Sequence, residues 1–293
     1  MFHRLTSDGL TVRVSRKGGS LVDGHFGGLP FLRPAAADNP ADYTIDQAAC
    51  FPLVPFGNRV SDNRFMVDGR ECLLRPNTPH DPLYLHGDGW LADWTVTRAE
   101  NGSLELDYEH TGTASSPYRY RAAQRIAVEN GALSLFLGVR NTGREALPFG
   151  LGQHFFFPMT QAAIFHAAAS GYWSERQGHL PGGCEDFPPD LNFREPAVMP
   201  HRWVNNAFEG WDGKARIAWP GLGLAVDIEA DPVFANYMIH VPSPNPTYFC
   251  FEPMSHLPNG HNMPDFGGLK LLGTDEELGG TVTIRPHILE TRK

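Results

Sequence analysis

Three dipeptides of one kind, Asp68-Gly69, Asn101-Gly102 and Asn130-Gly131, each stand between two runs of alternating apolar and polar residues. Asp-Gly and Asn-Gly accept the positive φ angles of the tight turns whose twist suits antiparallel strands, so each marks a β-hairpin. The third hairpin joins 119–128 to a run in which Leu133, Leu135, Leu137 and Val139 would line one face of a strand. Similar runs recur at 10–14, 215–219, 222–228, 237–241, 247–252 and 281–284. The 31 glycines and 25 prolines break the chain too often for long helices. The expectation is an all-β chain, a large antiparallel β-sandwich with few short helices, forming a single domain over residues 1–293. The Pro-, Gly- and acid-rich stretch 178–200 reads as an irregular excursion within that domain, not as a linker.

Charge narrows the range of partners. A formal net charge of −9 and an isoelectric point near 5.8 supply no basic footprint for nucleic acid and disfavour an anionic membrane surface. The cysteines, Cys50, Cys72, Cys184 and Cys250, are scattered without a C-x-x-C pair, which argues against a zinc motif or a small disulfide scaffold. The first residues lack the apolar segment of a signal peptide, and no later run has membrane-spanning length. A cytoplasmic protein with reduced thiols is expected.

The most informative stretch is Tyr248-Phe249-Cys250-Phe251-Glu252-Pro253, apolar enough to be buried and yet ending in a carboxylate. Burying an unpaired carboxylate is costly. Two accounts stand side by side: a structural glutamate, paired with arginine or turned to solvent where Pro253 ends the strand, and a base held in an apolar pocket. His154 lies in Gly152-Gln153-His154-Phe155-Phe156-Phe157, where burial would lower its pKa unless a carboxylate such as Glu252 kept it in the titrating range of a general acid.

His86, in Leu85-His86-Gly87-Asp88-Gly89-Trp90, sits among glycines that allow close backbone approach. It is either a satisfied structural histidine or a ligand beside an aromatic wall. Asn58-Arg59 follows the apolar run 51–56, so Arg59 either caps carbonyls or points at ligand oxygens. Gly221-Leu222-Gly223 lies between two strands without the third glycine or following helix of a dinucleotide loop. His256 and His261 stand in a proline- and glycine-broken loop that lacks the helical geometry of a zinc pair.

Taken in order, Gly18-Gly19-Ser20-Leu21, Phe56-Gly57-Asn58-Arg59-Val60, Leu85-His86-Gly87, Gly152-Gln153-His154-Phe155-Phe156 and Phe251-Glu252-Pro253-Met254-Ser255-His256 resemble the motifs of the aldose 1-epimerases, or galactose mutarotases. The likeness spans nearly the whole chain. It implies a sugar cleft open on one sheet, with Glu252 as base, His154 as acid, and His86, Arg59, Asn58 and Asn205 as substrate ligands, and no cofactor or metal. The implied partner is a small monosaccharide, met by a monomer or homodimer. One position departs from the family: where many members carry an acidic residue three positions before a phenylalanine, this chain reads Asn205-Asn206-Ala207-Phe208. Asparagine can donate as well as accept but brings no charge, which bears on the preferred sugar.

Other readings make different demands on the sequence. A sugar-binding protein on the same fold would not need both His154 and Glu252. A glycoside hydrolase requires two cooperating carboxylates, and no second one occupies a comparable motif. An isomerase of another sugar or sugar derivative on the same fold stays open, a phosphorylated sugar calling for more basic residues than Arg59 and Arg64. A metal-dependent isomerase with His86, His154 and Glu252 as ligands is open in residue type.

Overall fold

A computed structural model describes residues 1–289, so residues 290–293 of the expected domain lie outside the described part. Turn chemistry sets its local architecture. Asp68 and Gly69 have φ of 49° and 75°, and Asn130 and Gly131 have φ of 51° and 70°. Positive φ at both central residues is what a two-residue hairpin demands, and the flanking strands close as Val67↔Arg70 and Glu129↔Ala132. The Asn101-Gly102 turn closes Glu100↔Ser103. Asp8-Gly9, with the same chemistry, makes a further hairpin between His3–Ser7 and Leu10–Ser15 that the three selected signals did not include.

Two large sheets of antiparallel ladders result, one of eleven strands and one of nine. Leu133, Leu135, Leu137 and Val139 are all buried, on the inner face of the smaller sheet. They belong to one core with Phe155, Phe249, Phe251 and Ile239 from the inner face of the larger sheet. Each such side chain removed from water stabilises the sandwich by roughly 1.5–3 kcal/mol. Helical structure among the described residues is limited to short 3-10 turns, the longest being Pro264–Gly268. No helix there is long and apolar enough to cross a membrane.

In the middle of the larger sheet six strands lie side by side: Cys50–Leu53, Gly152–Pro158, Tyr248–Met254, Asn236–Val241, Val204–Glu209 and Gly171–Arg176. Alternation along Tyr248–Met254 sends Phe249 and Phe251 to the inter-sheet core. Cys250 and Met254 go to a second apolar cluster on the opposite face, with Phe51, Phe156 and Met238. Glu252 lies between them in step, which puts its carboxylate on that second face.

Two expectations change. The strand does not stop before Pro253 but runs through it to Met254, with Pro253 paired to Tyr237. The ladder to the neighbouring strand records Gly152↔Met254 and Phe155↔Phe251 in one register, which brings Gln153 opposite Pro253 and His154 opposite Glu252. Proline, which has no N–H, is tolerated where that ladder is interrupted. The stretch 178–200 is also less irregular than its composition implies. Leu180–Glu185 is a strand pairing with Gly171–Arg176, and a register shift between Trp173 and Glu175 bends the pair.

Candidate active site

The second face of the larger sheet carries Glu252, His154 and Asn205, and the loops holding Asn58, Arg59 and His86 pack beside it. His154 Nε2 lies 3.3 Å from Glu252 Oε1, with 9% and 4% of the two side chains exposed. Glu252 Oε2 and His154 Nδ1 are buried without a hydrogen-bond partner among the described residues. Buried polar atoms are nearly always satisfied, so two orphans on adjacent groups mark the place where a ligand would complete the set. The imidazole packs against the faces of Phe51 and Phe156, with centroids 4.5 and 4.6 Å away.

Burial dominates the electrostatics. It pushes the Glu252 carboxyl up to about 8, opposed by the nearby charge of Arg59. It drives His154 well below the ordinary histidine range, helped by His86 and His240. The expectation that Glu252 keeps His154 in its titrating range is therefore not met. Desolvation disfavours both charged forms together, so at neutral pH the carboxyl is protonated and the imidazole neutral.

His86 stands edge-on to His154 at 5.2 Å and edge-on to Trp90 at 5.9 Å. Its Nδ1 accepts a hydrogen bond from the Asn58 backbone N–H at 3.0 Å. A backbone N–H can only donate, so Nδ1 is unprotonated and Nε2 carries the hydrogen. Burial, then Arg59 and His240, lowers the His86 pKa to about 3, so the ring stays a neutral donor. The local backbone explains the sequence around it. His86 has φ 59° and Gly87 φ 69°, and a Cβ on Gly87 would lie 2.4 Å from the Val54 carbonyl oxygen. Only glycine allows the chain to pass that close.

Arg59 is clamped by Asp81: Nε and Nη2 donate to Asp81 Oδ2 at 2.8 and 2.7 Å. Asn58 is 3% exposed and adopts φ 62°, its Oδ1 accepting the Arg59 backbone N–H at 2.8 Å. Its visible contacts therefore shape the turn and hold His86. His256 ties this turn to the strand bearing Glu252, its Nε2 accepting the Gly57 N–H at 3.0 Å. His261 makes a 2.9 Å hydrogen bond with the Tyr118 hydroxyl. Both loop histidines thus have structural partners.

Of the aromatic residues around the motifs, Trp90 stacks on Phe51 at 5.3 Å on the cleft face, whereas Phe155 and Phe208 are core. Asn205 is in register with His240, itself in register with Cys250, so both share the face of Glu252. His240 and Asp81 escaped the sequence reading. His240 falls in step with Glu252 only once the strand register is known, and nothing local distinguishes Asp81. Burial lowers His240 to about 4 against the raising effect of Glu175.

Donor atoms of His154, Cys250 and Glu252 lie within 4.8 Å of one another, close enough to meet a single cation. This is not the His86, His154 and Glu252 set considered from residue type. Burial, then the Glu252 charge, holds the Cys250 thiol well above its ordinary pKa. A cation there would have to displace that thiol proton.

Comparison with known proteins shows a family match over most of the chain and a shared fold. Residues 1–285 match the sequence family described as aldose 1-epimerase. An uncharacterised Escherichia coli K12 protein, YphB, is 41% identical over 290 residues, covering 97% of this chain and 98% of its own. The crystal structure of a candidate aldose 1-epimerase from E. coli K12 superposes with a TM-score of 0.93 at 40% identity, over 99% of both chains. A galactose mutarotase-like protein from Clostridium acetobutylicum shares the fold, with a TM-score of 0.84 at 18% identity over 98% of this chain and 95% of that one.

Proposed function

We propose that this chain, which belongs to the aldose 1-epimerase family, interconverts the α and β anomers of a free aldose by acid and base catalysis of ring opening. The observation that carries the reading is the buried Glu252–His154 pair with its two orphaned polar atoms. Anomer exchange needs a base for the anomeric hydroxyl proton and an acid for the ring oxygen. Glu252 takes the first proton and His154 delivers the second as the C1–O5 bond breaks. The exposed aldehyde rotates about C1–C2, and the transfers reverse to close the ring with the other configuration.

In the resting pair the carboxyl carries the proton that the acid needs. Glu252 must first pass its proton to His154 across the 3.3 Å separation, against the pull of burial, and that transfer creates base and acid in one step. Arg59, whose charge favours the carboxylate, supports that movement. His86 Nε2–H and Arg59 orient the pyranose by donating to its oxygens, and Asn58 and Asp81 keep those two donors in place. Each positioned proton transfer contributes on the order of 10² to 10⁴ in rate.

The test is polarimetry of freshly dissolved α-D-glucose and α-D-galactose, with NMR saturation transfer between anomeric protons for a wider aldose panel. Acceleration above the spontaneous rate, unchanged by a chelator, is the expected result. Binding without acceleration across the panel would overturn the reading in favour of a carbohydrate-binding protein. Loss of rate with chelator would favour a metal held by His154, Cys250 and Glu252, whose donor atoms are within reach of one ion.

A further inference from the structure

At one side of the cleft a carboxylate that the motifs do not include organises the neighbouring residues. Glu175 Oε1 accepts hydrogen bonds from His179 Nδ1 at 2.6 Å and Asn205 Nδ2 at 2.8 Å. Its Oε2 accepts from Trp203 Nε1 at 2.7 Å. Burial alone would raise the pKa of this group, but the hydrogen bonds from His179, Trp203 and Asn205 outweigh it and lower the value. Glu175 is therefore an ionised, acceptor-only group at neutral pH.

An acceptor-only neighbour fixes an asparagine. The Asn205 amide must turn its nitrogen to Glu175, which leaves Oδ1 directed the other way. Oδ1 makes no hydrogen bond among the described residues. Trp203, 41% exposed, stands edge-on to His240 at 5.1 Å and walls the same corner. Asn205 lies two strands across and two residues along from Glu252, on the order of 12 Å between backbones. A pyranose whose C1 meets Glu252 would reach Asn205 with a hydroxyl remote from C1.

We propose that Glu175 is a positioning residue of the sugar site. It locks the Asn205 amide so that Oδ1 accepts a hydrogen bond from a ring hydroxyl remote from C1, and it thereby selects aldoses that offer a donor there. The negative charge of this corner thus sits on Glu175, one strand away from the amide that meets the sugar. The inference rests on the anomerase reading for its substrate class, but its test includes binding measured without turnover.

The experiment compares Glu175→Gln, Asn205→Asp and the double variant in the full chain. KM and kcat are measured for D-glucose and D-galactose, and their binding is followed separately by ligand-observed NMR. Glu175→Gln frees the amide to flip, so KM and the dissociation constant rise roughly fivefold or more with kcat held. Asn205→Asp sets two carboxylates against each other and weakens binding further. The double variant restores a donor facing an acceptor, with Gln at 175 donating to Asp at 205, and binding returns to within about twofold of the wild-type value. A merely structural Glu175 would not be rescued in this way. Unchanged KM and binding in Glu175→Gln, or a double variant no better than Asn205→Asp alone, would overturn the proposal. If the wild type binds sugars without turning them over, the binding arm alone decides for or against Glu175.

Discussion

Glu252→Gln separates the cost of the buried carboxyl from its use. Burial raises the Glu252 pKa from 4.5 to about 8. Between those two values the unfolded chain has released this proton while the folded chain keeps it, so folding stability falls as pH rises, by about 1.4 kcal/mol per pH unit. By pH 7 the loss is about 3 kcal/mol, and above pH 8, where the folded chain also ionises, it levels at about 5 kcal/mol. Glutamine has no such proton to lose. The stability of Glu252→Gln relative to wild type should therefore climb by about 3 kcal/mol from pH 4.5 to pH 7.

Urea unfolding at several pH values, followed by tryptophan fluorescence, measures that slope. Contributions that do not depend on pH cancel, including any difference in packing between the two side chains, and His154 remains in both proteins. In parallel, polarimetry should show turnover reduced by roughly 10²-fold or more, as expected for loss of a positioned base. A stability difference that is flat across this range would refute the argument, because Glu252 would then be as ionised in the folded chain as in the unfolded one. Near-normal turnover would move the base to another residue. The stabilising and inactivating effects spring from one cause, a carboxyl held away from water.

His154→Asn should lower kcat by roughly 10²-fold or more while leaving sugar affinity within a few-fold of wild type. Weak binding with a normal rate at saturating sugar would make His154 a ligand and not the acid. Gly87→Ala would force a side chain onto a residue with φ 69° and press its Cβ to 2.4 Å from the Val54 oxygen. A destabilisation of at least about 1–3 kcal/mol in urea unfolding should follow, with a raised KM as His86 is displaced. Wild-type stability would contradict that backbone constraint.

Local signals carried most of the fold. Asp68-Gly69 and Asn130-Gly131 fix their hairpins through the φ of two residues each, and the strands beside them announce their buried face by alternation. The same alternation, read on Phe249, Cys250 and Phe251, already implied that Glu252 was buried. Two local inferences failed for identifiable reasons. Pro253 lacks a donor and so signals the end of a strand, but the sheet interrupts its ladder beside it and continues to Met254. Pro181 and the glycines of Leu180–Glu185 hid an edge strand, where fewer donors are needed.

What the sequence could not display is which residues of distant strands share a row. His154 and Glu252 meet because Gly152↔Met254 and Phe155↔Phe251 set one register. Had that register slipped by one residue, the carboxylate would face Phe155 or Gln153, and the alternation of side chains would turn one partner to the other face. His240 and Asn205 enter the cleft through the same rule, from Asn205↔His240 and His240↔Cys250. Glu175 adds a further step, since the register shift after Trp173 changes how its strand pairs with Leu180–Glu185 just where its carboxylate takes the Asn205 amide. An asparagine read alone brings no charge to a sugar site. Beside Glu175 it is an oriented acceptor backed by a full negative charge, so the chemistry of that position belongs to the pair of strands and not to either residue.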